Sequence, residues 1–495
     1  MSKIIIQNGN MCELDLPLKF AQKLYNEFAL RHPNAFYLRT RQRGMQNWDG
    51  KIHYITKTGQ FKIGLLPKVY DMCIEMGIKP KVVDMRQPLP KVSKVVTKIG
   101  KYKLRPEQEK AVKAVINNTI GGKPFHIGVL DYTVNAGKTL IMSSLYLTYK
   151  KQLKTLLITN DSDWLNQARE EFKQYLPGED ITFVQGKVLN WSNFTIGMVQ
   201  SISRNMRFYQ KELSQIDMVL VDEADQGGSK QYQNVITRLF NTRIRIGLSG
   251  TIYMSKLAKD KVKNMNLECF FGKVIAEFKL KDSIKKGYST KTIVKMVPGK
   301  PWYGNWESDC ISYKEIYDDS ITENNTAWTM AYNRLRWNIN QGRYPALVVC
   351  KHIAHCENLY KFFKKKLGDA YNIAYVHVNT PSKLRQQIMR DFREGKIDIL
   401  VSTTIIARGK NFPKLRYLLN AASMDSQEKS IQFLGRLVRT DKSKKKVYLD
   451  DLHYPGPYLD RHGKHRKQYY QRQELKVILL DKLWKKHPNH SLIKS

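Results

Sequence analysis

A lysine and a hydroxyl stand side by side in Ala136-Gly137-Lys138-Thr139, where an apolar stretch gives way to a helical one. Backbone N–H groups in such a loop, with the positive end of a helix behind them, hold phosphate oxygens. The lysine reaches the β- and γ-phosphates, and the threonine hydroxyl takes a Mg²⁺. Alone the run decides little, because an ordinary lysine-capped turn spells the same residues. The full phosphate-loop pattern also asks for glycine at position 132, which is Tyr132. Asn135 stands where many such loops carry glycine or serine, and asparagine tolerates left-handed backbone angles better than most residues.

A second run, Met218-Val219-Leu220-Val221-Asp222-Glu223-Ala224-Asp225, sets acids at the end of four apolar residues. In parallel sheets ligands gather at that end of the strands. Asp222 can hold Mg²⁺ and Glu223 can polarise an attacking water. The plainer alternative is an acidic cluster at a helix N-terminus. In a third run, Gln432-Phe433-Leu434-Gly435-Arg436-Leu437-Val438-Arg439, the two arginines lie three apart on one helical face, with Gln432 one turn before. A planar, always-charged guanidinium suits a γ-phosphate in its transition state, although a solvated basic face would look the same. Upstream, Gln108 in Leu104-Arg105-Pro106-Glu107-Gln108 carries an amide that can pair with N6 and N7 of adenine. The joint occurrence of these runs, in this order, outweighs each alone.

The elements that must position them are legible from the pattern. Short apolar runs at Ile127–Leu130, Lys154–Thr159, Thr195–Val199, Met218–Val221 and Ile244–Leu248 read as buried strands separated by helical stretches. The alternation returns at Ala346–Cys350, Ile373–Val378 and Ile397–Ser402, with helices at Cys356–Lys366 and Ser382–Glu394. Helical crossovers imply parallel sheets. The expected fold class is α/β, with two similar parallel-sheet domains in tandem after a small α+β segment. The expected bounds are 1–95, 96–285 and 286–495, with Pro88-Leu89-Pro90 as a linker. The last domain should end in a basic amphipathic helix, Arg461 to Lys486.

As a set, these runs resemble the superfamily 2 helicases. Arg105 and Gln108 match the adenine-reading motif, Gly137-Lys138-Thr139 motif I, Leu157 to Gln167 motif Ia, and Ile196 to Ile202 motif Ib. Asp222 to Asp225 matches motif II and Ser249-Gly250-Thr251 motif III. Cys350 follows the motif IV strand, Thr403 to Asn411 matches motif V, and Gln432 to Arg439 motif VI. The resemblance implies two RecA-like motor domains with ATP and Mg²⁺ between them. Asn135, Ala136, Gly137, Lys138, Thr139 and Gly409 would line the nucleotide. Thr139 and Asp222 would serve the metal, Glu223 the water, and Arg436, Arg439 and Gln432 would come from the second domain. Gln200 and Ser201 would touch DNA. DEAD-box RNA helicases carry Ser-Ala-Thr at motif III and a histidine opening motif VI. Ser249-Gly250-Thr251 and Gln432 resemble DNA helicases and translocases of repair and recombination instead.

The first 95 residues sharpen this. Arg41 to Lys51, followed by Phe61 to Leu66, resembles the accessory domain of phage UvsW-type helicases, which remodel forks, junctions and R-loops. Arg39, Arg41 and Arg43 alternate at strand spacing, so that three guanidinium groups would share a face. Phe36, Tyr37, Trp48 and Tyr54 lie around them, available for stacking on a base or for a small core. A chain begun near Val92 should therefore keep single-strand-stimulated ATPase and lose fork remodelling. An ATP-dependent RNA helicase, or a DNA-binding clamp with an inactive motor, are the alternatives.

Composition agrees with a nucleic-acid partner. The 495 residues hold 84 Lys and Arg against 44 Asp and Glu, a formal charge of +40, while 42% hydrophobic content excludes a disordered basic tail. No run approaches the ~20 apolar residues of a membrane span. The first residues are too short and polar for a signal peptide, and six cysteines in so long a chain do not make a disulfide framework. A reduced, cytoplasmic monomer is expected, in the host cytoplasm if the protein is viral. Cys350, His352, His355 and Cys356 invite a zinc reading, but they lack a second ligand cluster and are spaced too tightly for a finger. Tyr469 and Tyr470 are expected to pack rather than to stack on bases.

Overall fold

The computed structural model describes residues 2–480, apart from 42–46, 93, 150–151, 161, 187–189, 253–259, 300–311, 408–411 and 442–443. It divides into two compact units, Met1–Phe278 and Lys279–Ser495.

The first unit opens with six short strands: β1 (Lys3–Ile6), β2 (Met11–Asp15), β3 (Ala29–Arg31), β4 (Lys51–His53), β5 (Gln60–Lys62) and β6 (Lys81–Asp84). Four of them form a sheet in the order β5-β2-β1-β6, and β3 pairs antiparallel with β4 in a separate ribbon. Period-two burial of Ile4, Ile6, Cys12 and Leu14 turns one face of that sheet inward. Arg39 and Arg41 do not lie on a strand. Ala35–Arg41 is a helix, with Ala35 buried and Leu38 half-buried one turn on. Two residues apart on a helix are about 200° apart, so the expected shared face is absent. Arg43 lies outside the described residues.

A seven-stranded parallel sheet follows: β7 (Ile127–Tyr132), β8 (Thr155–Thr159), β9 (Ile181–Val184), β10 (Phe194–Met198), β11 (Met218–Asp222), β12 (Ile244–Ser249) and β13 (Val274–Phe278). Their order is β9-β10-β8-β11-β12-β7-β13. Strands β7, β8, β11 and β12 are buried along their whole length, as the unbroken apolar runs require.

The opening sheet shares its core with this one. Ile4, Ile6, Phe61, Leu66 and Val69 belong to the same apolar cluster as Ile127, Val129, Leu156 and Val219. Arg245 of β12 is wholly buried and reaches across the seam. Its Nη2 donates to the carbonyl of Gly9 at 2.6 Å and to Oδ1 of Asn10 at 2.7 Å, and its Nη1 donates to the carbonyl of Phe270 at 3.2 Å. Burial, reinforced by the nearby Arg86, pushes this guanidinium down to about 9. The opening segment is therefore no detachable appendage. Removing it would strip two acceptor contacts, those of Gly9 and Asn10, from a buried cation and uncover apolar surface of the parallel sheet.

The second unit repeats the plan with β14 (Lys291–Pro298), β15 (Ala346–Cys350), β16 (Ile373–Val376), β17 (Ile399–Thr403), β18 (Tyr417–Asn420), β19 (Lys446–His453) and β20 (Val477–Leu479), in the order β16-β17-β15-β18-β19-β14-β20. Two adjacent acids are buried in β19. Asp450 accepts from Arg334 Nη2 at 2.6 Å, Asn338 and Tyr417. Asp451 accepts from Arg466 at 2.8 Å, from Tyr470 at 2.7 Å and from Asn420 at 2.9 Å. The terminal helix runs Leu459–Arg472, shorter than its sequence suggests. The left-handed backbone of Glu474, at φ 55°, breaks it, and the chain turns back as the edge strand β20. Tyr469 and Tyr470 are buried in the unit. Cys350 and Cys356 are also buried, and burial holds the Cys350 thiol well above its ordinary range.

Candidate functional site

Motifs I, II and III sit at the carboxyl ends of three neighbouring strands of the first sheet. β7 leads into the Gly137-Lys138-Thr139 loop, β11 ends at Asp222, and β12 ends at Ser249. Register aligns Asp222 with Leu248, and Asp131 with Ser249. Parallel pairing thus brings segments that are far apart in sequence to one edge.

The phosphate loop is built on two left-handed residues, Asn135 at φ 64° and Gly137 at φ 74°. The backbone angle favours glycine at 137, and a Cβ there would stand 2.2 Å from Gln108 Nε2, so any side chain would also displace the Gln108 amide. The helix Lys138–Thr148 starts directly behind it. Lys138 and Thr139 are half-buried at its first turn, and Ala136 is buried. Arg105 and Gln108 fasten this loop from the helix Pro106–Ile116. Arg105 Nη2 donates to the Asn135 carbonyl at 3.0 Å, and Gln108 Nε2 donates to the Ala136 carbonyl at 2.9 Å. Gln108 Oε1 accepts from the Arg105 amide at 2.8 Å, and Gln108 is 1% exposed. Its amide is thus turned into the loop rather than outward to a base.

Tyr132, where the phosphate-loop pattern asks for glycine, has a structural role that the sequence did not betray. Its ring is fully buried and its hydroxyl donates to the Glu107 carbonyl at 2.8 Å, tying β7 to the same helix. Gly250 packs against it: a Cβ at position 250 would lie 3.2 Å from the Tyr132 carbonyl and 3.2 Å from Thr133 Cα. The Ser-Gly-Thr spelling of motif III thus follows from a tight approach to the start of the phosphate loop.

Motif II closes the edge. Asp222 is buried, and Glu223 is held half-buried in a left-handed conformation at φ 53°, which turns the chain sharply off β11. Ser249 Oγ donates to Asp225 Oδ1 at 2.9 Å and lies 3.1 Å from Thr251 Oγ1, so motifs II and III are joined directly. Gln200 Nε2 donates to the Asn160 carbonyl at 3.4 Å, and Asn160 donates in turn to Gln226, linking motif Ib to the loops after β8 and β11. Ser201 Oγ accepts the Gly186 amide at 2.9 Å. Gln200 and Ser201 are both half-buried.

In the second unit Gln432 and Arg436 lie half-buried on the helix Gln427–Leu437. Arg439 lies beyond its end, so the two arginines do not share a helical face as their spacing suggested. The carbonyls at and beyond its end have other partners. Lys444 Nζ donates to the Leu437 carbonyl at 3.1 Å, and Thr290 donates to the carbonyls of Val438 and Arg439 at 2.8 and 3.2 Å. Burial pushes the Lys444 ammonium down to about 8. Lys429 Nζ donates to Thr404 Oγ1 at 3.4 Å, joining motif VI to the end of β17. Gly409 lies outside the described residues.

In the opening segment Arg39 is exposed, and Trp48 is half-buried with its Nε1 donating to the Lys51 carbonyl at 2.9 Å. Among the described residues no group of three or more His, Cys, Asp and Glu is placed to hold a metal. No helix among them is long and apolar enough to cross a membrane.

Known families share this plan. The model for the res subunit of type III restriction enzymes matches residues 101–254, and that for the helicase conserved C-terminal domain matches residues 331–441. The chain belongs to the superfamily 2 helicases. It is 22% identical over 378 residues to IRC3 of Saccharomyces cerevisiae, a protein named as an ATP-dependent helicase, covering 70% of this chain and 51% of that one. It is 21% identical over 436 residues to the ATP-dependent DNA helicase uvsW of Enterobacteria phage T4, covering 82% of each. The chain thus spans about half the length of the first relative. Among solved structures, the type ISP restriction-modification enzyme LlaBIII bound to DNA aligns over 83% of this chain and 34% of its own, with a TM-score of 0.58 and 16% identity. Dbp5 of Saccharomyces cerevisiae, bound to RNA and ADP BeF3, aligns over 79% of this chain and 94% of its own, with a TM-score of 0.52 and 14% identity. The fold is that of superfamily 2 helicases with two RecA-like domains.

Proposed function

We propose that this chain is an ATP- and Mg²⁺-dependent DNA helicase or translocase that remodels branched DNA in recombination, repair or replication. The observation that carries the proposal is the convergence of Lys138 and Thr139, Asp222 and Glu223, and Ser249 to Thr251 on the carboxyl edge of adjacent parallel strands. The donor set suits Mg²⁺, a hard ion commonly held by one carboxylate, a hydroxyl and substrate phosphates. When bound, Mg²⁺ neutralises charge on the β- and γ-oxygens.

In this reading Lys138 holds the terminal phosphates and Glu223 orients the attacking water. Arg436 and Arg439 supply charge to the transition state, and Gln432 contacts the nucleotide. Gly409 and Asn135 line it. Ser249 and Asp225 carry the change at the phosphates toward the nucleic-acid-binding loops that hold Gln200 and Ser201. Ser249-Gly250-Thr251, Gln432 and the likeness to the phage T4 enzyme over most of both chains support DNA as the polymer. The charge of +40 supports a polyanionic track. The test is ATP hydrolysis with single-stranded DNA, forked DNA and RNA of equal length. Stimulation by both DNAs, with the fork strongest, is expected, and stimulation by RNA alone overturns the proposal.

A further inference from the structure

The opening segment presents a cavity of about 580 Å³, lined by Arg31, Ala35, Phe36, Arg39, Gly50 and Lys51 among others. Arg31 and Lys51 face each other as cross-strand partners of the β3–β4 ribbon. Two like charges directly opposite destabilise a ribbon unless an anion lies between or above them. One carboxylate, Asp49, also lines the cavity, and it is engaged: its Oδ1 accepts the Lys51 amide at 2.9 Å, and its Oδ2 lies 2.7 Å from His53 Nε2. Phe36 stands 79% exposed at the mouth, with Arg39 and Thr40 three and four residues on, hence on the same helical face. Tyr37 beside it is 55% exposed. A cavity of this size admits a nucleotide, and an exposed ring beside three cations offers a base a face and its phosphate a counter-charge.

We propose that this cavity holds one unpaired nucleotide at a junction between duplex and single strand, the base stacked on Phe36 and its flanking phosphates met by Arg31, Arg39 and Lys51. The proposal rests on the nucleic-acid reading above and gives that reading a place where branch structure is recognised. Unpaired bases have free faces and duplex bases do not, so stacking selects the branch without reading sequence.

The test uses the full chain and a DNA fork carrying 5-iodouracil at its first unpaired position, beside a fully paired duplex of the same sequence. Photocrosslinking to the peptide that contains Phe36 is expected. Phe36→Ala should weaken fork binding about tenfold, within the range found for losing a stacked base, and leave duplex binding unchanged. Phe36→Trp should retain fork binding, and Phe36→Leu should behave as Phe36→Ala. Leu18→Ala, equally exposed at 79% but outside the cavity, is the control and should bind as the parent does. Wild-type fork affinity in Phe36→Ala or in Phe36→Leu overturns the proposal. An RNA fork showing the same loss on Phe36→Ala supports the cavity while moving the polymer to RNA. Binding is read without ATP, so a failure of nucleic-acid-stimulated hydrolysis would sink the helicase reading separately.

Discussion

Lys138 begins the helix that follows the phosphate loop, and in the proposed function its ammonium is the charge offered to a triphosphate. Lys138→Ala should abolish ATP turnover in a steady-state assay, while nucleotide-free DNA binding survives, because the cations of the opening segment lie elsewhere in the fold. Glu223→Gln should bind ATP and stall, since the amide keeps the strained turn but no longer polarises water. Near wild-type hydrolysis by either variant would misplace the site. Gly250→Ala would spell the motif III of DEAD-box enzymes. Here its methyl would press on Tyr132 and Thr133, with a cost of about 1–3 kcal/mol in denaturant stability and a slower turnover. A Gly250→Ala protein as stable and as fast as the parent would show that the loop has room to give.

Among the elements, the buried pair in β19 sets the strongest constraint. Asp451→Ala would leave the Arg466 guanidinium uncompensated at 0% exposure, and breaking such a pair costs about 3–5 kcal/mol. The loss should appear as a lower urea midpoint for the second unit, and an unchanged midpoint would contradict it. The strands that host the motifs were legible because parallel strands buried on both faces read as unbroken apolar runs: Ala346–Cys350 matches residue for residue, and Met218–Val221 is one residue short. Where the reading failed, either a local pattern was weighed wrongly or the partner lay elsewhere in the chain. The alternation of Arg39, Arg41 and Arg43 looked like a strand because charge was counted, whereas Ala35 and Leu38, set at helical spacing, were the informative residues. The helix carrying Arg436 ends at Leu437, whose carbonyl Lys444 takes while Thr290 takes those of Val438 and Arg439, and neither partner announces itself in the local sequence. Glu474 gave no warning of a left-handed break.

For the whole molecule, the separable accessory segment expected from composition meets a shared core. The seam is apolar and is closed by Arg245, whose partners are backbone carbonyls and an amide rather than a carboxylate, so no complementary charge in the opening segment could reveal it. Point changes in the Phe36 cavity are therefore the cleaner probe, and a chain begun near Val92 should precipitate instead of turning over ATP. Net charge acts at the same scale. DNA affinity should fall steeply between low and physiological salt, as counterions are released, and a flat response would mean that the +40 charge serves another partner.

The fastening of the phosphate loop by Gln108 has a thermodynamic corollary. An amide that is 1% exposed and already bonded to Ala136 can meet adenine only after the loop lets go of it. If Gln108 reads adenine as proposed, base identity and loop freedom become linked variables: a nucleotide with a 6-amino group favours the opened loop, and one without it leaves the latch shut. Amide hydrogen exchange over residues 133–139 should accordingly be faster with ATP analogues than with their inosine counterparts at equal saturation, and identical exchange with both would place base selection elsewhere.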